Sequence, residues 1–146
     1  MHRLEPYHLW LGHAGDLAHV RIVLDEGICA LVDLASNEPV PKLPRDIAYC
    51  RFPLVDGAGN EPWLLLSAIK TVAGFVKLEV PTLVSCSAGL SRGPAIVAAA
   101  LSSITAQSPE DCLRQVSSSV AHDVSPGFWN EVAGVCRSLH QTVPPA

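Results

Sequence analysis

Thr82-Leu83-Val84-Ser85-Cys86-Ser87-Ala88-Gly89-Leu90-Ser91-Arg92-Gly93-Pro94 is the stretch on which the reading of this chain turns. It opens on an apolar run, Thr82 to Val84, that predicts a strand, and leads into an Ala-rich apolar segment, Ala95 to Leu101, that predicts a helix. Between them Cys86 and Arg92 enclose a loop of small residues. A strand, a tight loop and a helix in that order turn backbone N–H groups and the positive end of a helix dipole toward one point, which suits a dianion. A cysteine facing that point has its thiolate favoured by the same field, and a guanidinium beside it matches two phosphate oxygens. Cys86 is thus a candidate nucleophile, and Ser87, Ala88, Gly89, Leu90, Ser91 and Arg92 a candidate phosphate cradle. Without this context a Cys-x5-Arg pair is a weak signal, and Cys86 alone reads first as a buried small hydrophobe. The preceding strand, Gly89 at a point of close backbone approach, and Pro94 in the first helical turn supply the context.

Outward from this loop the chain alternates. His8 to Gly12 predicts a short strand, and Leu17, Val20 and Leu24 at helical spacing predict a helix ending at Gly27. Ile28 to Leu34 is a second strand, Asn37 to Pro44 a proline-rich loop, and Ile47 to Val55 extended again. Asn60 is a candidate cap for the next helix, with Pro62 in its first turn and Leu65, Ile69, Val72 and Val76 on one face. After the Arg92 helix, Ser108-Pro109-Glu110-Asp111 and Ser125-Pro126 open two more, the last burying Phe128, Val132, Val135 and Leu139. The expected fold class is α/β: a mainly parallel central sheet flanked by helices, with a helical C-terminal third. In such sheets ligands sit outside the carboxyl ends of the strands, where both Asp56 and Cys86 fall.

A length of 146 residues predicts one domain, drawn here as 1–142 with a short tail, 143–146. The net charge of −4, with scattered lysines and arginines, argues against a nucleic-acid partner. Ala95 to Leu101, the longest apolar run of the second half, falls far short of the roughly 20 residues that span a bilayer, so no membrane partner is expected. Glu5 and Pro6 precede any apolar stretch, which does not read as a secretory signal. Five cysteines, Cys29, Cys50, Cys86, Cys112 and Cys136, show neither disulfide parity nor metal-ligand spacing. A reducing, cytoplasmic compartment follows as the expectation. The six histidines form no ligand pattern, and neither metal nor cofactor is called for.

The Cys86 to Pro94 stretch resembles the dual-specificity branch of the cysteine-dependent protein tyrosine phosphatases. Leu9-Trp10-Leu11-Gly12 and Phe52-Pro53-Leu54-Val55-Asp56 extend that resemblance in the family's order over nearly the whole chain. It implies a phosphatase-like fold, with Cys86 as nucleophile, Arg92 and the amides of Ser87 to Arg92 as phosphate binders, and Asp56 as general acid. Read from the residues alone, Asp56 before Gly57 is a turn residue, and Asp33 or Asp123 are the fallback acids. Two positions depart from the family pattern. Ser85 stands where the family usually has His, and Gly93 where it usually has the Ser or Thr whose hydroxyl serves the leaving thiolate.

Three functions are compatible with these residues. The first is a phosphoprotein phosphatase acting on phosphotyrosine or phosphoserine/threonine through a phosphocysteine intermediate, with a phosphorylated protein or peptide as its partner. The second is a phosphate-binding module with little turnover, favoured by Ser85 and Gly93. The third is a rhodanese-like sulfurtransferase, which has no use for Asp56.

Overall fold

In the computed structural model, which describes residues 1–141, five strands lie in the order β1-β2-β5-β3-β4. They are β1 (His2–Arg3), β2 (Leu9–His13), β3 (Ala30–Ala35), β4 (Ala48–Leu54) and β5 (Thr82–Cys86). β5 is central and parallel to both neighbours: Leu83 pairs with Trp10 on β2 and with Leu31 on β3. Only β1, a short segment the sequence does not announce, runs antiparallel, with His2 opposite Leu11 and Arg3 opposite Trp10. The tail proposed at 143–146 lies outside the described residues.

Strand alternation sorts the core into two layers, because successive side chains point to opposite faces of a sheet. Leu9, Leu11, Val32, Leu34, Val84 and Cys86 face one cluster, while Trp10, Leu31 and Leu83 join Val23, Ile28 and Ile47 in the other. The larger cluster is roofed by α3 (Pro62–Lys77), α4 (Arg92–Ile104), α5 (Pro109–Ser119) and α6 (Pro126–Gln141), the helical C-terminal third among them. α4 is buried on every side from Arg92 to Ser102. It packs against α3, α5 and α6 at once, and Ala95, Ala98, Ala99 and Ala100 leave room for that crowding. α5 opens as its sequence signals, with Ser108 Oγ accepting from the Asp111 N–H at 3.1 Å.

Two local expectations fail for identifiable reasons. The helix foreseen through Leu17, Val20 and Leu24 is two pieces, α1 (Ala14–Leu17) and α2 (Val20–Asp25). His13 and Asp16 close a reciprocal cap on α1, and His19, with φ −120° and ψ 58°, interrupts the helical path. The core residue there is Val23, while Leu24 is exposed. Asn60 caps nothing: Glu61 is the N-cap of α3 and makes no side-chain capping bond. Asn60 bonds backward instead, into the loop that holds Asp56.

Candidate active site

β5 delivers Cys86 to the carboxyl edge of the sheet, and α4 begins at Arg92, so the loop between them is short and pinned at both ends. The carbonyls of Ser87 and Leu90 are engaged by the N–H groups of Ala14 (3.1 Å) and Asp123 (2.8 Å). Two of the loop's carbonyls are thereby occupied by donors outside the loop, in a strand–loop–helix setting of the kind that binds anions. Gly89 has φ +78°, and a Cβ there would sit 3.0 Å from the Gly12 carbonyl oxygen. Its glycine is thus required by the backbone of β2 rather than by a ligand, as the sequence suggested.

Cys86 is buried, and its Sγ accepts from the Gly93 N–H at 3.4 Å, a donor in the first turn of α4. Burial pushes the thiols of Cys50, Cys112 and Cys136 up, which lowers their thiolate fraction. Arg92 is only 5% exposed. Its Nη1 donates to Asn37 Oδ1 (3.0 Å) and to the Leu54 carbonyl (2.8 Å), which fixes the plane of the guanidinium. Among the described residues no carboxylate pairs with it, so its charge is free for an oxyanion.

Asp56 follows the end of β4, and its Oδ1 accepts from Ser91 Oγ at 2.6 Å. Ser91 Oγ in turn accepts from the Ser125 N–H at 3.0 Å. The two sequence segments are thereby joined, and Asp56, Cys86, Ser87, Ser91 and Arg92 line one pocket of about 480 Å³. The loop carrying Asp56 is held from the far side. Asn60 Oδ1 accepts from the Val55 N–H (2.8 Å), its Nδ2 donates to the Val55 and Gly57 carbonyls (3.0 Å each), and Glu131 of α6 accepts from the N–H groups of Gly59 (2.8 Å) and Asn60 (3.1 Å). Those bonds, the Gly59 N–H first, pull the Glu131 carboxyl below its usual range.

Of the fallback acids, Asp123 lines the same pocket, whereas Asp33 does not. Asp33 is buried in a structural network, accepting from Tyr49 Oη (2.7 Å) and the Ala35 N–H (3.2 Å), with Arg51 Nη1 at 3.8 Å. Burial first, and then Asp33, push the Tyr49 phenol up to about 12. Arg51 Nη2 donates to the carbonyls of Ala35 (3.1 Å) and Glu38 (2.9 Å), bracketing Asn37. Glu38 accepts from Ser87 Oγ. Asn37, Glu38, Asn60, Ser91 as a partner of Asp56, and Glu131 carry no local sequence signal of these roles.

No protein-family model matches the chain, and no curated protein matches it. Solved structures do. Human DUSP28 superposes with a TM-score of 0.83 at 24% identity, covering 97% of this chain and 99% of that one. A mouse protein assigned to the dual specificity phosphatases and solved with zinc tungstate gives 0.83 at 23% identity, over 99% of this chain and 92% of that one. A human tyrosine phosphatase-like serine/threonine/tyrosine-interacting protein gives 0.81 at 17% identity, over 97% and 98%. The fold is that of the dual-specificity branch of the cysteine-dependent tyrosine phosphatases. Within the described residues no helix is long and apolar enough to cross a membrane.

Proposed function

We propose that the protein is a cysteine-dependent phosphomonoester hydrolase acting on a phosphorylated protein or peptide. The observation that carries this reading is the convergence of Cys86, Arg92 and Asp56 on one pocket from two distant segments. A dianionic monoester repels an anionic nucleophile, so neutralising its oxygens is the first requirement; the loop amides and Arg92 meet it. Cys86 sulfur then attacks phosphorus in line. The S–P bond forms, the bond to the ester oxygen breaks, and Asp56 gives its proton to the departing oxygen. In the second step Asp56 takes a proton from water, the water oxygen bonds phosphorus, and the S–P bond breaks to release phosphate and the thiolate. No step calls for a metal or cofactor. A reducing, cytoplasmic setting suits a free thiolate nucleophile.

Ser85 and Gly93 favour a second reading, a phosphate-recognising module with little turnover. The pocket fits both, and the sulfurtransferase alternative gains nothing from a phosphatase fold with Asp56 beside the loop. The deciding experiment is acid-quenched turnover of an aryl phosphate with mass spectrometry of Cys86. A phosphorylated Cys86 together with steady release of phosphate supports the hydrolase. Vanadate binding without turnover selects the recognition module, and absence of oxyanion binding overturns both.

A further inference from the structure

Two carboxyl residues border the pocket proposed to receive the phosphate. Glu38, which accepts from Ser87 Oγ, faces the adjoining hollow, whereas Asp56 and Asp123 line this pocket. Arg92 is the one Lys or Arg among its lining residues, and that guanidinium is buried and already oriented by Asn37 and Leu54. Lys42 shares the adjoining hollow with Glu38, and His122 lines another beside Asp123. A ligand therefore meets the Arg92 cation inside and carboxyls beside it. Beside the carboxylates and the polar Ser36, Asn37, Ser87 and Ser91, the pocket has an apolar strip. Val55 and Leu90 line the pocket and are 54% and 39% exposed. Val55 precedes Asp56 and Leu90 precedes Ser91, so the Asp56–Ser91 hydrogen bond brings these two side chains to the same mouth.

We propose, building on the phosphate-pocket reading above, that the site selects a singly phosphorylated tyrosine flanked by lysine or arginine, with Asp123 as a specificity-determining residue. The phenyl ring lies against Val55 and Leu90, and a flanking cation faces Asp123. A complementary charge pair in a solvated rim contributes about threefold in affinity at low salt, and screening removes most of that at high salt. A second phosphate on the ligand would meet carboxylate rather than cation, which disfavours multiply phosphorylated ligands.

The test uses the Cys86→Ser protein, so that binding is read without turnover, and fluorescence anisotropy on three peptides with one phosphotyrosine flanked by two arginines, two alanines or two aspartates. The arginine peptide should bind roughly three- to tenfold tighter than the alanine peptide at low salt, the aspartate peptide should bind more weakly than either, and the spread should shrink below about twofold near 0.5 M salt. Asp123→Asn should reduce the arginine-over-alanine ratio by about threefold. Arginine and alanine peptides within twofold of each other, an unchanged ratio in Asp123→Asn, or tighter binding of a soluble phosphoinositide headgroup than of the arginine peptide would overturn the proposal while leaving the phosphate pocket standing. Failure of every peptide and of vanadate to bind would take down the pocket reading with it.

Discussion

The proposed phosphate loop and acid loop face each other across one pocket, yet they are held differently. Residues 86–92 are anchored at both ends by secondary structure, a fully buried strand ending at Cys86 and a fully buried helix turn beginning at Arg92, with the Ser87 and Leu90 carbonyls held between by the Ala14 and Asp123 N–H groups. Residues 55–60 are held by side chains. Asn60 staples the loop to itself, Glu131 ties it to α6 from 71 and 72 residues away, and Ser91 holds Asp56. Asp56 itself is exposed. A site built this way makes the order of residues 55–60 depend on a few side-chain bonds and concentrates sensitivity to mutation and pH there. The two halves should therefore fail differently.

Removing the nucleophile should cost most. Cys86→Ser should lower aryl phosphate turnover by roughly a thousandfold or more while vanadate binding, measured by calorimetry, persists. Arg92→Ala should lose both, because the cradle goes with it. Activity in the serine protein above a trace would remove Cys86 from the role. Asp56→Asn should come next, at about 10²- to 10³-fold for an alkyl ester and far less for an activated phenol, whose leaving group needs no proton. Equal losses across a leaving-group series would make Asp56 structural and leave Asp123 as the remaining carboxyl in the pocket.

The same contrast explains what could be read from the chain. The strand, the loop and α4 are contiguous, so the nucleophile, amides and guanidinium are visible as one motif. The order of strands and helices was legible from apolar spacing, and it placed Asp56 and Cys86 at the same edge of the sheet. Asp56 could be singled out only through a family resemblance, since Asp-Gly on its own is a turn. Asn37 and Glu131 were invisible: their contacts to Arg92 and Asn60 span 55 and 71 positions, and no local pattern encodes such a pairing. Asn60 illustrates the same limit. It stands before a helix like a cap, but the Val55 N–H and carbonyl compete for its amide and win.

Glu131 separates acid-loop order from acid chemistry. Glu131→Ala removes the acceptor for Gly59 and Asn60, and should slow alkyl-ester turnover by about tenfold while leaving vanadate affinity within about twofold. The pH dependence has a defined sign. The folded-state carboxyl titrates below its usual range, so its contribution to stability is fully present above the ordinary glutamate range and is lost as pH falls through the depressed one. Thermal unfolding measured from pH 6 downward should show a smaller acid-side loss in Glu131→Ala than in the parent. Parallel profiles would mean that the loop is ordered without this carboxylate.

Gly93 tests the cradle side at its smallest expected effect. In the proposed mechanism the second step expels Cys86 as a thiolate, and a hydroxyl donor at position 93 would stabilise that developing charge by about 1.5–3 kcal/mol, or roughly ten- to hundredfold in rate. The structure supplies a substitute, since the Gly93 N–H already points at Sγ from 3.4 Å. The deficit should therefore be partial: dephosphorylation limits turnover, an activated aryl phosphate gives a burst near one equivalent of phenol per site, and Gly93→Ser raises the steady rate by only about three- to tenfold. Geometry permits the added side chain. A Cβ at position 93 lies 3.7 Å from Sγ, within reach for a hydroxyl, but 3.0 Å from Leu11 Cδ2, so the buried leucine must yield slightly. Gly93→Ala carries the same crowding without the donor and is the control. A serine variant that exceeds the alanine variant in steady rate without enlarging the burst isolates the hydroxyl. Identical rates in the two variants, with no burst in the parent, would mean that the backbone N–H and the α4 dipole serve the leaving thiolate in full, and that glycine at this position is no impairment of the loop.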